Sequence, residues 1–244
     1  MITGDKTVAE AVILLSSVGA GVIQSVTGFG SGIFMMLFYP YFFPILSASA
    51  LSSSISLVSN VALSWRYRKQ CEWKLTLFPA IVYIVTSSAA ILFAPYLPTE
   101  TLKRVFGGFL VILSIYFLTV SGKIKIKANL VSATICGALS GVVGGLFGIG
   151  GPPMVIFFLA ALDDKEKYLG TIQFFFLVTR LYTFIFRIIN GIYGIDLIPF
   201  SLIGIVGILV GKAIGTRIID RINADTMKKL VYVFLGFSGL TNLM

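Results

Sequence analysis

Two glycine runs, 120 positions apart, carry the residue types and spacing most suggestive of chemistry in this chain. The first reads Thr27-Gly28-Phe29-Gly30-Ser31-Gly32. The second reads Gly144-Gly145-Leu146-Phe147-Gly148-Ile149-Gly150-Gly151-Pro152-Pro153. A short apolar segment follows each. Proline is favoured at the first helical position, where its missing N–H costs nothing, so Pro152 or Pro153 is predicted to start the segment after the second run. The free N–H groups of that first turn then point into the break, beside the positive end of the helix dipole. Glycines let an anion come close to such a backbone. The chemistry on offer is anion binding. A phosphate-binding P-loop is not expected, because it needs Gly-Lys-Ser/Thr after the glycines and two prolines stand there instead. The competing role of small residues is close helix packing. That is the role expected of Gly207, Gly211 and Gly215, spaced i, i+4, i+8, and of Gly137 and Gly141.

Arg180 is the sharpest single residue. It stands 11 residues into an apolar segment, about 16 Å deep at 1.5 Å per residue and so near a bilayer midplane. A charge at that depth is expensive and usually functional, and a guanidinium is a planar five-donor fork suited to oxyanions. The alternative is an arginine satisfied by helix-end carbonyls and water. Asn60 lies at a similar depth in its own segment and is expected to share the central axis with Arg180. Arg187, nearer its segment end, is expected to snorkel to the interface. Gln24, Thr27, Gln173 and Thr171 are further polar candidates, able either to bind substrate or to hydrogen-bond between helices. The serine-rich run 47–59 could line a cavity or simply pack. No His occurs, and no Asp or Glu lies deep in a segment; Glu10, Asp163 and Asp196 are near ends. No proton-relay carboxylate, metal cluster or nucleophile–base pair is therefore available, and neither an enzyme nor a cofactor is expected.

The elements that position these residues are set by hydrophobicity. Apolar residues make up 57% of 244 positions and charged residues 12%, against about 45–50% and about 25% in soluble domains. Ten apolar segments are legible: Val8–Thr27, Ile33–Leu46, Ala48–Trp65, Leu75–Tyr96, Leu102–Ser121, Leu130–Phe147, Pro152–Leu162, Leu169–Ile189, Leu197–Ile214 and Met227–Leu243. The second and seventh are short. The runs lack the alternation of a barrel, so an all-α polytopic membrane protein is predicted, with about ten transmembrane or half-membrane helices. The first run has no strong basic region before it and reads as a span rather than a cleavable signal. Cys71 and Cys136 read as free thiols.

Thirteen Lys and Arg fall on one face when the segments are crossed in order: Arg66, Arg68, Lys69, Lys74, Lys123, Lys125, Lys127, Lys165, Lys167, Arg217, Arg221, Lys228 and Lys229. Only Lys6, Lys103, Arg104 and Arg187 fall on the other. The excess marks the first face as cytoplasmic and both termini as non-cytoplasmic, and it accounts for the net charge of +9 without a nucleic-acid partner. Trp65 and Trp73 read as interface anchors. The halves also repeat. Gly28-Phe29-Gly30 matches Gly148-Ile149-Gly150, and Leu57-Val58-Ser59-Asn60 matches Leu177-Val178-Thr179-Arg180, both at an offset of 120. Thr101-Leu102-Lys103-Arg104 matches Thr226-Met227-Lys228-Lys229 at an offset of 125. Five segments per half is an odd number, so residues 1–122 and 123–244 are predicted to be inverted repeats, the pattern of many secondary transporters. Re-entrant tips and loops between full spans give the same charge topology, so the charges do not choose between these two forms of the breaks.

The chain resembles the sulfite exporter TauE/SafE family of membrane permeases. The resemblance rests on Gly141-Val142-Val143-Gly144-Gly145-Leu146-Phe147-Gly148-Ile149-Gly150-Gly151-Pro152-Pro153. It rests also on Leu169-Gly170-Thr171 and on Gly211-Lys212-Ala213-Ile214-Gly215-Thr216-Arg217, leading to Met227-Lys228-Lys229. It covers essentially the whole chain. The first half departs from the family pattern, lacking the fuller glycine run and the following proline, and Ile172 stands where the family's Gly-Thr-Ser would place serine. The resemblance implies transport of a small anion, notably sulfite or an organosulfur acid. The expected substrate-binding set is Gln24, Thr27, Gly28, Gly30, Ser31, Asn60, Gly148, Gly150, Gly151, Pro152, Thr171, Gln173 and Arg180. An anion channel and a non-transporting membrane partner subunit are the alternatives. The lipid bilayer is the expected surrounding, and no residue pattern sets an oligomeric state.

Overall fold

The computed structural model describes residues 5–120, 127–218, 236, 239 and 240. Among these the chain is helical and has no strand. In order, the helices are α1 (Lys6–Thr27), α2 (Ser31–Met35), α3 (Ile45–Arg66), α4 (Trp73–Phe93), α5 (Thr99–Ile115), α6 (Leu130–Phe147), α7 (Gly151–Ala161), α8 (Lys165–Ile189) and α9 (Ile198–Ile218). Seven of them, all but α2 and α7, are long and apolar enough to cross a membrane. Several start where a side chain answers the orphan amides of the first turn. Asp5 accepts the Thr7 N–H at 2.9 Å, Asp164 accepts that of Lys167 at 2.8 Å, and Asn129 and Ser132 cap each other's backbone.

Two expectations about the segments change. The second, expected over Ile33–Leu46, is not one helix. α2 is a single turn, a 3-10 turn follows at Tyr39–Tyr41, and Pro44 caps α3, so Ile45 and Leu46 already belong to the next helix. Pro40 and Pro44 explain this, since each lacks an N–H and disfavours helix at the residue before it. The tenth segment, Met227–Leu243, lies outside the described residues except at Gly236, Gly239 and Leu240. There the two glycines sit against Ser114 and Gly107 of α5. Lys123, Lys125, Arg221, Lys228 and Lys229 also lie outside the described residues.

The helices pack mainly in pairs that cross between the halves. α1 lies along α9, and α6 lies along α4. Both pairings depend on missing side chains. A Cβ on Gly207 would stand 2.7 Å from the Leu14 carbonyl oxygen, and one on Gly211 would collide with the Val18 backbone. On α6, a Cβ on Gly141 would stand 2.6 Å from the Tyr83 carbonyl, and one on Gly145 2.7 Å from that of Ser87. The expected packing role of Gly137, Gly141, Gly207, Gly211 and Gly215 is what the structure shows. α3 packs against α8 at the centre, and these two also touch α9 and α4 respectively.

Each short helix sits inside its own apolar cluster. Ile33 and Met35 of α2 join Leu51, Ile55, Phe106 and Phe147; Met154, Phe157 and Phe158 of α7 join Phe175 and Ile172. The irregular backbone beside them is thus wrapped by protein, the condition under which it is tolerated at membrane depth. Large apolar side chains such as Leu77, Ile81 and Val85 of α4 and Leu202 and Val206 of α9 face outward, where lipid would meet them.

The packing makes a direct prediction. Gly211→Leu should prevent α1 and α9 from closing and cost about 1–3 kcal/mol or more, read as a lower thermal midpoint in detergent. Gly108→Ala on α5, where an added Cβ meets nothing within 4 Å, should leave the midpoint unchanged or raise it slightly.

Candidate functional site

The first break begins where α1 ends. Gly28 takes a left-handed conformation (φ 79°) and its N–H closes on the Gln24 carbonyl at 2.9 Å; Gly30 is left-handed again (φ 95°) and α2 follows. α3 and α8 hold this bend through one hydrogen-bonded chain. Asn60 donates to Gln173 Oε1 at 2.8 Å, and Gln173 donates its other end to the Gly28 carbonyl. Gln24 is buried beside this bend with its Oε1 unpaired, as is Asn60 Oδ1. Ser31 and Ser56 share a hydrogen bond of 3.1 Å, and Ser52 donates to the Gly32 carbonyl at 3.4 Å. The serine run of α3 is therefore mainly a holding surface.

The second break repeats the geometry at one end only. Gly148 is left-handed (φ 70°) and its N–H reaches the Gly144 carbonyl at 3.0 Å, but Gly150 is not left-handed (φ −81°). α7 starts at Gly151, one residue before the predicted proline. Pro152 and Pro153 come second and third, so they contribute no N–H, and the free amides of this helix end reduce to Gly150 and Gly151.

Arg187 overturns its expectation. It does not snorkel: it is 1% exposed, and its guanidinium donates to the carbonyls of Gly144 (3.0 Å), Gly145 (2.9 Å) and Ser49 (3.2 Å) and to Ser53 Oγ (2.7 Å). The reason lies in the break, since a helix that stops inside the protein leaves carbonyls in need of donors. The role considered for Arg180, a guanidinium satisfied by helix-end carbonyls, thus belongs to Arg187.

Arg180 is left with spare capacity. Its Nη1 is buried and has no hydrogen-bond partner, and its guanidinium stands 5.8 Å from the Phe176 ring centroid. Gly32 brings the first break to the second here. A Cβ on Gly32 would stand 3.1 Å from the Gly148 carbonyl and 3.3 Å from Arg180 Nη2. Arg180, Gly148, Gly150 and Gly151 line one small cavity together with Ser53, Tyr83, Gly144, Phe176, Thr179 and Thr183. Its volume, about 10 Å³, holds about one water.

The candidate residues therefore divide. Gly148, Gly150, Gly151 and Arg180 meet at the cavity, which Pro152 flanks without lining. Gly28, Gln173 and Asn60 form a separate hydrogen-bonded chain, and Asn60 faces Gln173 rather than the cavity. Gly30 caps α2 and Ser31 starts it, two residues and one residue before Gly32. Thr171 is engaged elsewhere, accepting the Glu72 N–H at 3.0 Å next to the α3–α4 connection. The Thr27 side chain lies outside the described residues. The sequence reading missed Tyr83, Ser53, Thr183 and the strap made by Arg187. Tyr83 had one signal: it opens a polar stretch with Thr86, Ser87 and Ser88, one turn after Pro79, inside an otherwise apolar helix.

Removing the strap should be severe. Arg187→Ala leaves the Gly144, Gly145 and Ser49 carbonyls without these donors and should destabilise by about 1–3 kcal/mol for each carbonyl left unsatisfied. Arg187→Lys keeps the charge but not the fork and should recover only part of the loss in thermal unfolding.

Comparisons with known proteins agree with this architecture. A family model described as sulfite exporter TauE/SafE matches residues 13–241. A protein of Methanocaldococcus jannaschii described as a probable membrane transporter protein is 25% identical, over 92% of this chain and 91% of its own length. No solved structure matches. With a glycine-broken helical core and a family match over almost its full length, this chain belongs to the sulfite exporter TauE/SafE family of membrane transporters.

Proposed function

We propose that the protein is a secondary transporter that moves a small oxyanion, such as sulfite or an organosulfonate, by alternating access. The observation that carries this reading is the unpaired, buried edge of Arg180 at the cavity beside the second glycine break. The guanidinium and the Gly150 and Gly151 amides are suited to several oxyanion acceptors at once. Ser53, Tyr83 and Thr183 add hydroxyls. Gln24, Gln173 and Asn60 act one layer away, by holding the first break.

Two inverted repeats, residues 1–122 and 123–244, supply the moving parts. Exchanging the halves turns the α1–α9 pair into α6–α4 and the α3–α9 contact into α8–α4. It also turns Gln173 on Gly28 into Ser53 beside Gly148, each pair separated by 120 in the sequence. A cavity holding about one water must widen to accept a polyatomic anion, so the lining has to separate in each cycle. Rocking of one repeat against the other would open it to each side in turn. A channel would instead need a continuous wet path.

In proteoliposomes, radiolabelled sulfite or organosulfonate uptake should require Arg180. Arg180→Ala should lower it by roughly two orders of magnitude, the value of a lost charged hydrogen bond in a buried site. Full uptake in that variant rules the reading out.

The orientation is tested by Cys71, in the connection between α3 and α4 on the proposed cytoplasmic face. Burial, aided by Glu72, pushes its thiol above the ordinary range, so less thiolate is present at neutral pH and labelling should speed up as pH rises. In a Cys136→Ser background, an impermeant maleimide should label it in inside-out vesicles and not in right-side-out ones.

A further inference from the structure

We propose that this protein is an anion exchanger, which crosses the membrane faster with an anion in each direction because two guanidiniums stand at its cavity with no counter-charge among the described residues. The proposal rests on the transport reading above and adds the mode of transport.

Two guanidiniums belong to the cavity. Arg180 lines it, and Arg187 sits behind it, bonded to the lining residues Ser53 and Gly144. The acceptors on Arg187 are three carbonyls and a hydroxyl, so its hydrogen bonds are satisfied while its charge is not cancelled. Arg180 has the Phe176 ring and an unpaired Nη1. No lining side chain is acidic. The eight acidic residues among the described ones lie at helix ends or connections, and none is buried. Glu72, Glu10 and Glu100 face Lys167, Lys6 and Lys103 there. The other two, Asp220 and Asp225, follow Arg217 in the basic stretch between the ninth and tenth apolar segments.

A buried charge is costly unless it is paired. An open cavity lets water and salt screen Arg180. When the cavity is sealed from bulk water that screening is lost; sealed around an anion it is wider than the empty one-water form, and the anion then neutralises the guanidinium. The loaded crossing is therefore the easy one. The empty crossing must carry two uncompensated guanidiniums through the closed state, with no buried carboxylate among the described residues to swing onto them. Return with a second anion avoids that barrier, which makes the exchange cycle faster than net flux.

The test uses the purified full chain in proteoliposomes, with radiolabelled sulfite outside and the membrane potential clamped by potassium and valinomycin. One set of vesicles is loaded with unlabelled sulfite and the other with impermeant gluconate buffer. Initial uptake should be faster into the sulfite-loaded vesicles by roughly tenfold or more, as the cost of an unpaired buried charge implies. Thr183→Asp places a carboxylate three residues after Arg180 and four before Arg187, within reach of both along α8. The carboxylate also weakens anion binding, so this variant is compared at a sulfite concentration that saturates its own uptake, and there the ratio should fall towards one. Equal wild-type uptake under both loadings, still abolished by Arg180→Ala, would overturn exchange and leave the transport reading standing. A folded Thr183→Asp protein that keeps the wild-type ratio would remove buried charge as the cause and overturn the proposal. No sulfite or organosulfonate uptake under either loading would overturn the transport reading as well.

Discussion

A helix that stops inside packed protein leaves amides and carbonyls with no water to turn to, and the rest of this structure is arranged around that constraint. Both breaks are closed first by a left-handed glycine, Gly28 or Gly148, whose N–H folds back on the last turn. The first is then answered by a polar side chain of the opposite half, and the second by Arg187 of its own half. Gln173 of α8 reaches the Gly28 carbonyl, and Ser53 of α3 stands beside Gly148 and accepts from Arg187. α8 thus holds both breaks, and α3 supplies acceptors that seat its Arg187, so the two halves of the chain complete each other.

That mutual dependence explains how closely the outer pairs approach. α1 and α9, and α6 and α4, meet backbone to backbone through glycines, because lipid offers no hydrophobic drive for helix association and contact area has to come from proximity. The same glycines that mark the breaks in the sequence are followed or preceded by glycines that serve only packing. Gly144 belongs to both sets: it lines the cavity, its carbonyl accepts from Arg187, and a Cβ there would collide with Tyr83.

The two arginines of α8 lie seven residues apart, about two turns, and so near one face of the helix, yet they do opposite work. Arg187 spends its donors on the end of α6 and fixes the second break. Arg180 keeps a donor edge free at the cavity that the break creates. The electrostatic character of the site follows from this division. Its positive charge is held in place by neutral acceptors, and its outlet is toward whatever enters the cavity.

Much was legible beforehand because it depends on local physics. Hydropathy determined a polytopic helical membrane protein, the spacing of small residues determined which faces pack, and the glycine-proline motif determined where helices stop and which family the chain joins. The run Ile33–Leu46 misled, because hydropathy does not register that Pro40 and Pro44 forbid a continuous helix. Arg187 misled for a different reason. Its distance from a segment end was read correctly, but depth along one helix says nothing about which carbonyls another helix leaves exposed. Asn60 and Thr171 likewise found partners, Gln173 and the Glu72 amide, that are 113 and 99 residues away in the chain. The sequence by itself thus determined the solvent, the long helices and the places where they break. Only the tertiary structure decided which polar groups face one another across the breaks, because hydrogen-bond partners between helices are set by packing and not by position along the chain.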